Sequence, residues 1–143
     1  MTAEFRYSEA VTEDVRAALQ TLIAAVQQDG RSLQEMVDAS PLAVLVANDS
    51  GSYVMVNGAA CTLTGYSPSE LRTLSVWQLT PDIHEREAET LWRAFRQQSE
   101  QFGTYRLLRK DGRTVVSEYA AKTNVAPGLH VSVLSEPLEP LNS

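Results

Sequence analysis

The single cysteine of the chain, Cys61, is the first candidate for chemistry. A thiol becomes a nucleophile when a base or a positive charge lowers its pKa, and no motif pairs Cys61 with such a group. Beside Ala60 on a short helix, Cys61 fits the role of a small buried hydrophobic residue. A small enzyme that uses Cys61 or His84 is kept as the alternative of another class. One cysteine also excludes an internal disulfide and suits a reducing compartment.

The two histidines do not form a metal site with other ligands. His84 lies among charged residues at a helix start, which indicates an exposed side chain. His130 lies in the last apolar segment, where the alternation predicts that it points away from the interior. No cysteine or carboxylate cluster stands at ligand spacing beside either histidine, so no metal is predicted. No nucleophile elbow, glycine-rich phosphate loop or carboxylate pair occurs, and the sequence therefore predicts no catalytic residue and no enzyme.

The overall composition argues against several classes of binding partner. The chain has 143 residues, a hydrophobic content of 43% and a formal net charge of −6. Nucleic acids and anionic membrane surfaces attract clustered Lys and Arg, so neither partner is expected. No apolar segment approaches the ~20 residues of a membrane span, and no signal-peptide pattern opens the chain. The expected location is cytoplasmic.

The N-terminal forty residues are predicted to be helical. Val15, Leu19, Leu22 and Val26 form one apolar stripe on a helix over about 8–28. A second helix over 32–39 follows. The stripe has two interpretations, docking on the domain's own core or pairing with a second copy as a homodimer seam, helped by a sheet face. The predicted division is an extension at 1–40, a domain at 41–135 and a flexible tail at 136–143.

The rest of the chain alternates between strands and helices. Strands are predicted at 42–47, 52–57, 103–110, 113–123 and 129–134, and Asp-Gly at 111–112 indicates a hairpin. Between them lie two short capped helices over 57–71 and a longer one, which Thr80 and Pro81 can open. Its apolar face is Ala88, Leu91, Trp92 and Phe95. Strands grouped around a helical middle predict an α+β fold, with one five-stranded antiparallel sheet and helices over one face.

The segment 42–134 resembles a PAS domain, the sensory module of signalling proteins. The resemblance rests on "NDSGSYVMVNGAACTLTGYSPSEL", "LTPDIHERE" and "RKDGRTVV" in that order. It implies the strand order 2-1-5-4-3, helices forming a cup over the sheet, no shared catalytic activity, and frequent dimerisation through an N-terminal helix. It also implies that Asn57 caps a helix and that Glu70 pairs with Lys110, both as structural roles.

The cup is expected to hold a mostly apolar pocket for a small molecule. If Tyr119 points inward, only a small or slender ligand fits. Trp77 and Trp92 could stack on a planar ligand, although large aromatic residues are usually core. An empty, well-packed core is the alternative. The candidate lining residues are Val44, Val46, Met55, Leu63, Leu74, Leu91, Phe95, Val115, Tyr119 and Val131.

Differences between this sequence and the family's motifs indicate which cofactors are not expected. Flavin-binding light-oxygen-voltage members carry an Asn-Cys-Arg-Phe-Leu-Gln-like motif, which is absent around Cys61. Haem-binding members carry their His about a turn beyond His84, near Ala88. Haem and flavin are therefore disfavoured, and no cofactor is the favoured expectation. The family's closing Asp-Ile-Thr-like triplet is replaced by 134–136, and Pro137 discourages an outgoing helix.

These observations predict a non-enzymatic sensory or dimerisation module of a cytosolic, bacterial signal-transduction protein. A sensor needs a reader, so a linked or separate effector domain is expected, with an excised piece of a longer protein favoured over a chain that works alone. The alternative within the same fold is a constitutive homodimerisation domain without a ligand.

Overall fold

The computed structural model describes residues 2–81 and 85–138, with side chains from residue 13 onward except that of residue 85. The helices are α1 (Thr2–Gln27), α2 (Leu33–Ala39), α3 (Gly58–Thr64), α4 (Pro68–Leu71), a 3-10 helix (Val76–Leu79) and α5 (Glu85–Arg96). The strands are β1 (Ala43–Asn48), β2 (Tyr53–Val56), β3 (Glu100–Leu108), β4 (Thr114–Ala126) and β5 (Leu129–Leu134). None of the described helices is long and apolar enough to span a membrane.

The five strands form one antiparallel sheet in the order β2-β1-β5-β4-β3, which confirms the predicted fold class and strand order. The Asp-Gly hairpin joins β3 to β4, and Arg109 N–H donates to Arg113 O across it at 2.9 Å. β4 continues to Ala126, beyond the predicted end at residue 123. Asn124 adopts a left-handed φ of 53° where the pairing with β5 shifts register.

Helices cover both faces of the sheet. The face beneath α3, α4, the 3-10 helix and α5 is called the cup face, and the face beneath α1 is called the outer face. On the outer face, Val15 and Leu19 of α1 are fully buried against residues such as Val44, Val131 and Val133. At the edge of this layer, the guanidinium carbon of Arg16 lies 4.2 Å from the ring centroid of an exposed phenylalanine on β3.

The apolar stripe of α1 therefore docks on the chain's own sheet. Val15, Leu19 and Leu22 are buried in the outer-face core and Val26 packs partly against it. Of the two interpretations of the stripe, the structure shows the first, and a seam between copies through these residues would require α1 to leave the sheet. The helical extension and the sheet share one core. Self-association through another surface stays a prediction.

Local capping explains why such short helices form. Asn57 Oδ1 accepts from Ala60 N–H at 3.0 Å at the start of α3, and Gly65, with φ of 81°, ends that helix. In α4, Ser67 and Glu70 form a reciprocal capping box. These caps satisfy backbone donors that a helix of one or two turns leaves open. The sheet then holds the helices in place.

Two predicted boundaries can be compared with the structure only in part. Thr80 ends the 3-10 helix and pairs with the hydroxyl of Tyr105, and α5 is described from Glu85. The residues that Thr80 would cap, 82–84, lie outside the described part of the chain. The tail was predicted to be flexible from residue 136, yet Leu138 N–H donates to Val116 O at 2.8 Å. Residues 139–143 lie outside the described part of the chain.

Candidate functional site

A cavity of about 400 Å³ lies between α5, the 3-10 helix and the cup face of the sheet. It falls in the size range of small-molecule sites in proteins. Leu91 lines it and is still 55% exposed, so the cavity opens to solvent beside α5. Its lining residues are Leu45, Tyr53, Val76, Trp77, Leu79, Thr80, Ala88, Leu91, Trp92, Ala94, Phe95, Gln98, Gln101, Tyr105, Leu107, Tyr119, Ala121, Ser132 and Leu134.

Part of the predicted lining is found at this cavity. Leu91, Phe95 and Tyr119 line it. Leu63 and Val115 are buried in the cup-face core, and Leu74 packs partly against the same core without reaching the cavity. Because α5 supplies the first two residues and β4 the third, the helical periodicity and the alternation of β4 placed these side chains on the correct side.

Four predicted lining residues lie elsewhere. Val44, Val46 and Val131 are buried on the outer face against α1, and Met55 packs partly against that same core. The prediction exchanged the two faces of β1 and of β5, so residues expected at the cup lie on the outer face. In β1, the residues that face the cup are the neighbours of the predicted ones, such as Leu45. The prediction placed these valines towards the cup, whereas they pack against α1 on the outer face.

His130 shows the same reversal, and the prediction that it points away from the cup is wrong. It lies on the cup face, 3% exposed, with its ring in edge contacts with Trp92 and Phe95 of α5. Its Nδ1 accepts from Asn124 N–H at 3.1 Å, so Nε2 carries the proton and faces Asp49 Oδ1 at 2.8 Å. The histidine therefore serves as a buried support beneath the cavity wall.

Asp49, in the turn between β1 and β2, fastens α5 to the sheet. Trp92 Nε1 donates to Asp49 O at 2.9 Å, and Arg96 lies 3.3 Å from the Asp49 carboxylate. The hydrogen bond from His130 lowers the pKa of the Asp49 carboxyl, and the nearby Arg96 lowers it further. These contacts join the wall-forming helix to β5 and to the turn at one point.

Three tyrosine side chains bring hydroxyl groups to the cavity. The Tyr105 hydroxyl is hydrogen-bonded to Thr80 Oγ1, and the rings of Tyr105 and Tyr119 meet edge to face with centroids 6.0 Å apart. Burial raises the pKa of Tyr105 and Tyr119, and it raises the pKa of Tyr53 well above its ordinary value, with the adjacent Tyr105 contributing. All three phenols are therefore neutral hydrogen-bonding groups at physiological pH.

An antiparallel sheet of this strand order under a helical cup matches a known family. A family model described as PAS domain matches residues 41–127. The chain belongs to the PAS domain family. A comparison with curated proteins found no match.

Solved PAS structures share the fold at low sequence identity. A domain of a sensory box sensor histidine kinase/response regulator from Geobacter sulfurreducens is 15% identical, with a TM-score of 0.65, and the match covers 78% of this chain and 96% of that one. The PAS domain of an HTR-like protein from Haloarcula marismortui is 21% identical (TM-score 0.57; 71% and 91% covered). A PAS domain from Colwellia psychrerythraea is also 21% identical (TM-score 0.61; 80% and 98% covered).

Cys61 of this PAS domain lies away from the cavity. It packs partly against the cup-face core, and burial raises the pKa of its thiol, which is the opposite of what activates a nucleophile. His84, the other residue of the enzyme alternative, lies outside the described residues. Within the described part of the chain, no three His, Cys, Asp or Glu side chains come together as a potential metal site.

The residues implied by the PAS resemblance occupy structural positions. Lys110 Nζ lies 2.7 Å from Glu70 Oε2, and this hydrogen bond lowers the pKa of Glu70. Asn57 is buried and joins α2, β1 and α3 through its amide. Both features lie outside the cavity and hold the helical cup on the sheet.

Sequence reasoning missed part of the aromatic wall. Tyr53 and Tyr105 were not proposed, and Trp77 and Trp92 were considered for stacking on a planar ligand but left out of the candidate lining. A signal existed in β3, where Tyr105 and Leu107 alternate with polar residues as a strand with one buried face does. The fold places the Trp77 ring over Gly51, where an added Cβ would stand 2.6 Å from it.

Proposed function

We propose that this PAS domain is a non-enzymatic sensory module of a signal-transduction protein, and that a small, mostly apolar molecule bound in the cavity is its signal. The observation that carries the proposal is the cavity itself, which is already formed and lined mainly by apolar and aromatic side chains. A constitutive dimerisation domain has no need of such a space. Occurrence of similar domains in sensor histidine kinases supports the signalling role.

The transmission step follows from the two-sided sheet. On β4, Tyr119 and Ala121 line the cavity while the intervening Ala120 is buried under α1. On β5, Ser132 and Leu134 line the cavity while Val131 and Val133 face α1 in the same way. A ligand that displaces the cup-face side chains therefore acts on the same strands that carry α1. The proposed output is a shift of α1 against the outer face, read by an effector domain.

The direct test is to identify what the protein carries. The chain is purified from a bacterial host, denatured, and the released small molecules are identified by mass spectrometry. A stoichiometric apolar compound is expected, and adding it back should raise the melting temperature, because a ligand that binds only the folded state stabilises it. Absence of any released compound, together with no stabilisation by a broad metabolite panel, would favour the ligand-free dimerisation domain.

A matched pair of variants locates the binding site. Leu91→Trp enlarges a half-exposed side chain at the cavity opening and is expected to reduce ligand retention without unfolding the domain. Arg93→Trp places the same side chain on an exposed α5 residue outside the lining, and it should retain the ligand. Equal retention by both variants would place the ligand outside this cavity.

A further inference from the structure

The described part of the cavity wall offers no charged side chain to a charged ligand. None of the described lining residues is Asp, Glu, Lys, Arg or His. The polar groups that remain are hydroxyls and amides, supplied by Thr80, Gln98, Gln101, Ser132 and the tyrosines. An ionised carboxylate or phosphate that entered this space would lose its hydration without gaining a cationic partner, which is strongly unfavourable. The wall therefore selects for a neutral molecule.

Aromatic rings form much of the wall on both sides of the space. The 3-10 helix and α5 contribute aromatic side chains from above, and β2, β3 and β4 contribute them from the sheet. Rings contact planar, weakly polar surfaces well, both by stacking and by edge contacts. The six aromatic lining residues are Tyr53, Trp77, Trp92, Phe95, Tyr105 and Tyr119. Such a wall suits a planar ligand better than a flexible chain.

Two tyrosine hydroxyls in the described wall, those of Tyr53 and Tyr119, make no hydrogen bond to a described residue. Tyr53 is the more deeply buried of the two, at 7% exposure. Tyr105, by contrast, is already paired with Thr80. This hydroxyl is not among the fully buried polar atoms without a partner, so a ligand acceptor would replace its hydrogen bond to solvent, which costs little when the acceptor is well placed. Because burial holds the pKa of Tyr53 high, its hydroxyl keeps its proton and can donate.

Building on the proposed function, we propose that the cavity binds a neutral, planar aromatic carbonyl compound whose oxygen accepts a hydrogen bond from the Tyr53 hydroxyl. The rings of the ligand lie among the aromatic side chains, and its carbonyl group reaches towards β2. Neutrality, planarity and a single strong acceptor are the three properties that define the class.

Three naphthalenes with one planar ring system test neutrality and the acceptor separately. Acetylnaphthalene carries a neutral carbonyl, ethylnaphthalene has the same shape without an acceptor, and naphthoate carries a negative charge. Each is titrated calorimetrically into the wild-type chain, the Tyr53→Phe variant and the Tyr66→Phe variant. Tyr66 packs partly against the cup-face core but does not line the cavity, so Tyr66→Phe controls for loss of a hydroxyl elsewhere.

The wild-type chain is expected to bind acetylnaphthalene at least 10-fold more tightly than naphthoate. Tyr53→Phe should weaken acetylnaphthalene by about 2- to 10-fold, the value of one net hydrogen bond, and leave ethylnaphthalene unchanged. Tyr66→Phe should change neither. Tightest binding of naphthoate overturns the neutral class, and an unchanged acetylnaphthalene affinity in Tyr53→Phe overturns the role of the hydroxyl.

Failure of this proposal is distinguishable from failure of the sensory function. If no naphthalene binds while the purified chain releases another small molecule on denaturation, the ligand class is wrong and the sensory function stands. If no naphthalene binds and nothing is released or stabilising, both proposals fail.

Discussion

Asn57→Ala tests whether one buried amide holds the helical cup to the sheet. The Oδ1 atom of Asn57 accepts from Val44 N–H and from Ala60 N–H, each at 3.0 Å. Its Nδ2 atom donates to Val37 O at 3.0 Å and to Leu42 O at 2.8 Å. The side chain thus connects α2, the start of β1 and the first turn of α3. Removing it should destabilise chiefly the junction of β1 with α3, where two backbone N–H groups lose their acceptor.

The magnitude follows from which groups are left without a partner. The carbonyl of Val37 keeps a bond from Ser40 N–H, and that of Leu42 keeps one from the Ser40 hydroxyl, so little is lost there. The N-cap of α3 is worth about 1 kcal/mol. The buried N–H of Val44 loses its partner at a cost of about 1–3 kcal/mol. The expected loss is about 2–4 kcal/mol, a large share of the ~5–15 kcal/mol typical of domain stability.

Urea unfolding followed by circular dichroism measures this loss as a change in midpoint at constant slope. Ser67→Ala is the matched control, because Ser67 also accepts from a helix N–H, at 3.2 Å, but on an exposed helix. Its expected loss is only the cap, about 1 kcal/mol. An Asn57→Ala loss no larger than that of Ser67→Ala would refute the buried network as the connection between cup and sheet.

Three further outcomes are expected. Leu19→Glu places a charge in the outer-face core, where Leu19 is fully buried, so its circular dichroism spectrum should show an unfolded domain, while the exposed Gln20→Glu should stay folded. If wild type is a dimer by sedimentation and Leu19→Glu is a folded monomer, the intermolecular seam is supported instead. Ser117→Ala should leave stability in urea unchanged or raise it by about 1 kcal/mol, because Ser117 Oγ is buried without a partner among the described residues, whereas a loss above that size would show an unseen hydrogen bond. The lowered pKa of Asp49 means that folding favours its ionised form, so the stability it contributes is present at neutral pH and is lost as pH falls below about 4. In Asp49→Asn the melting temperature should therefore fall less steeply on acidification than in wild type, and an equal fall in both proteins would contradict this assignment.

The fold was readable from the sequence because its signals are local. The Asp-Gly hairpin, the capping box of α4 and the apolar periodicity of α5 each depend on a few neighbouring residues, and each appears in the structure as expected. Which residues of β1 face the cup could not be predicted in this way. Its residues at 43–47 are all buried, since α1 covers one face and the helical cup the other, and a strand buried on both faces loses its alternation.

The cavity residues were mispredicted for the same reason. In β5, polar His130 and Ser132 alternate with apolar Val131 and Val133, and the natural assumption places the valines towards the ligand. That assumption fails when a helix packs on the other face and requires the more apolar surface. Only the decision that α1 docks on its own sheet would have reversed the phase. The open interpretation of the α1 stripe and the misplaced cavity residues therefore have the same cause, which is the unknown position of α1 on the outer face.

The same two-sided packing limits how a ligand could act on α1. Full release would expose the buried side chains of Val15, Leu19 and Leu22, at about 1.5–3 kcal/mol each, together with the sheet valines beneath them. The total is at least about 10 kcal/mol. A micromolar ligand supplies about 8 kcal/mol in all, and only its difference in affinity between the two states counts. A ligand in the cavity cannot pull α1 off the sheet at that affinity. The proposed sensory mechanism therefore requires a small shift or rotation of α1 while it stays docked.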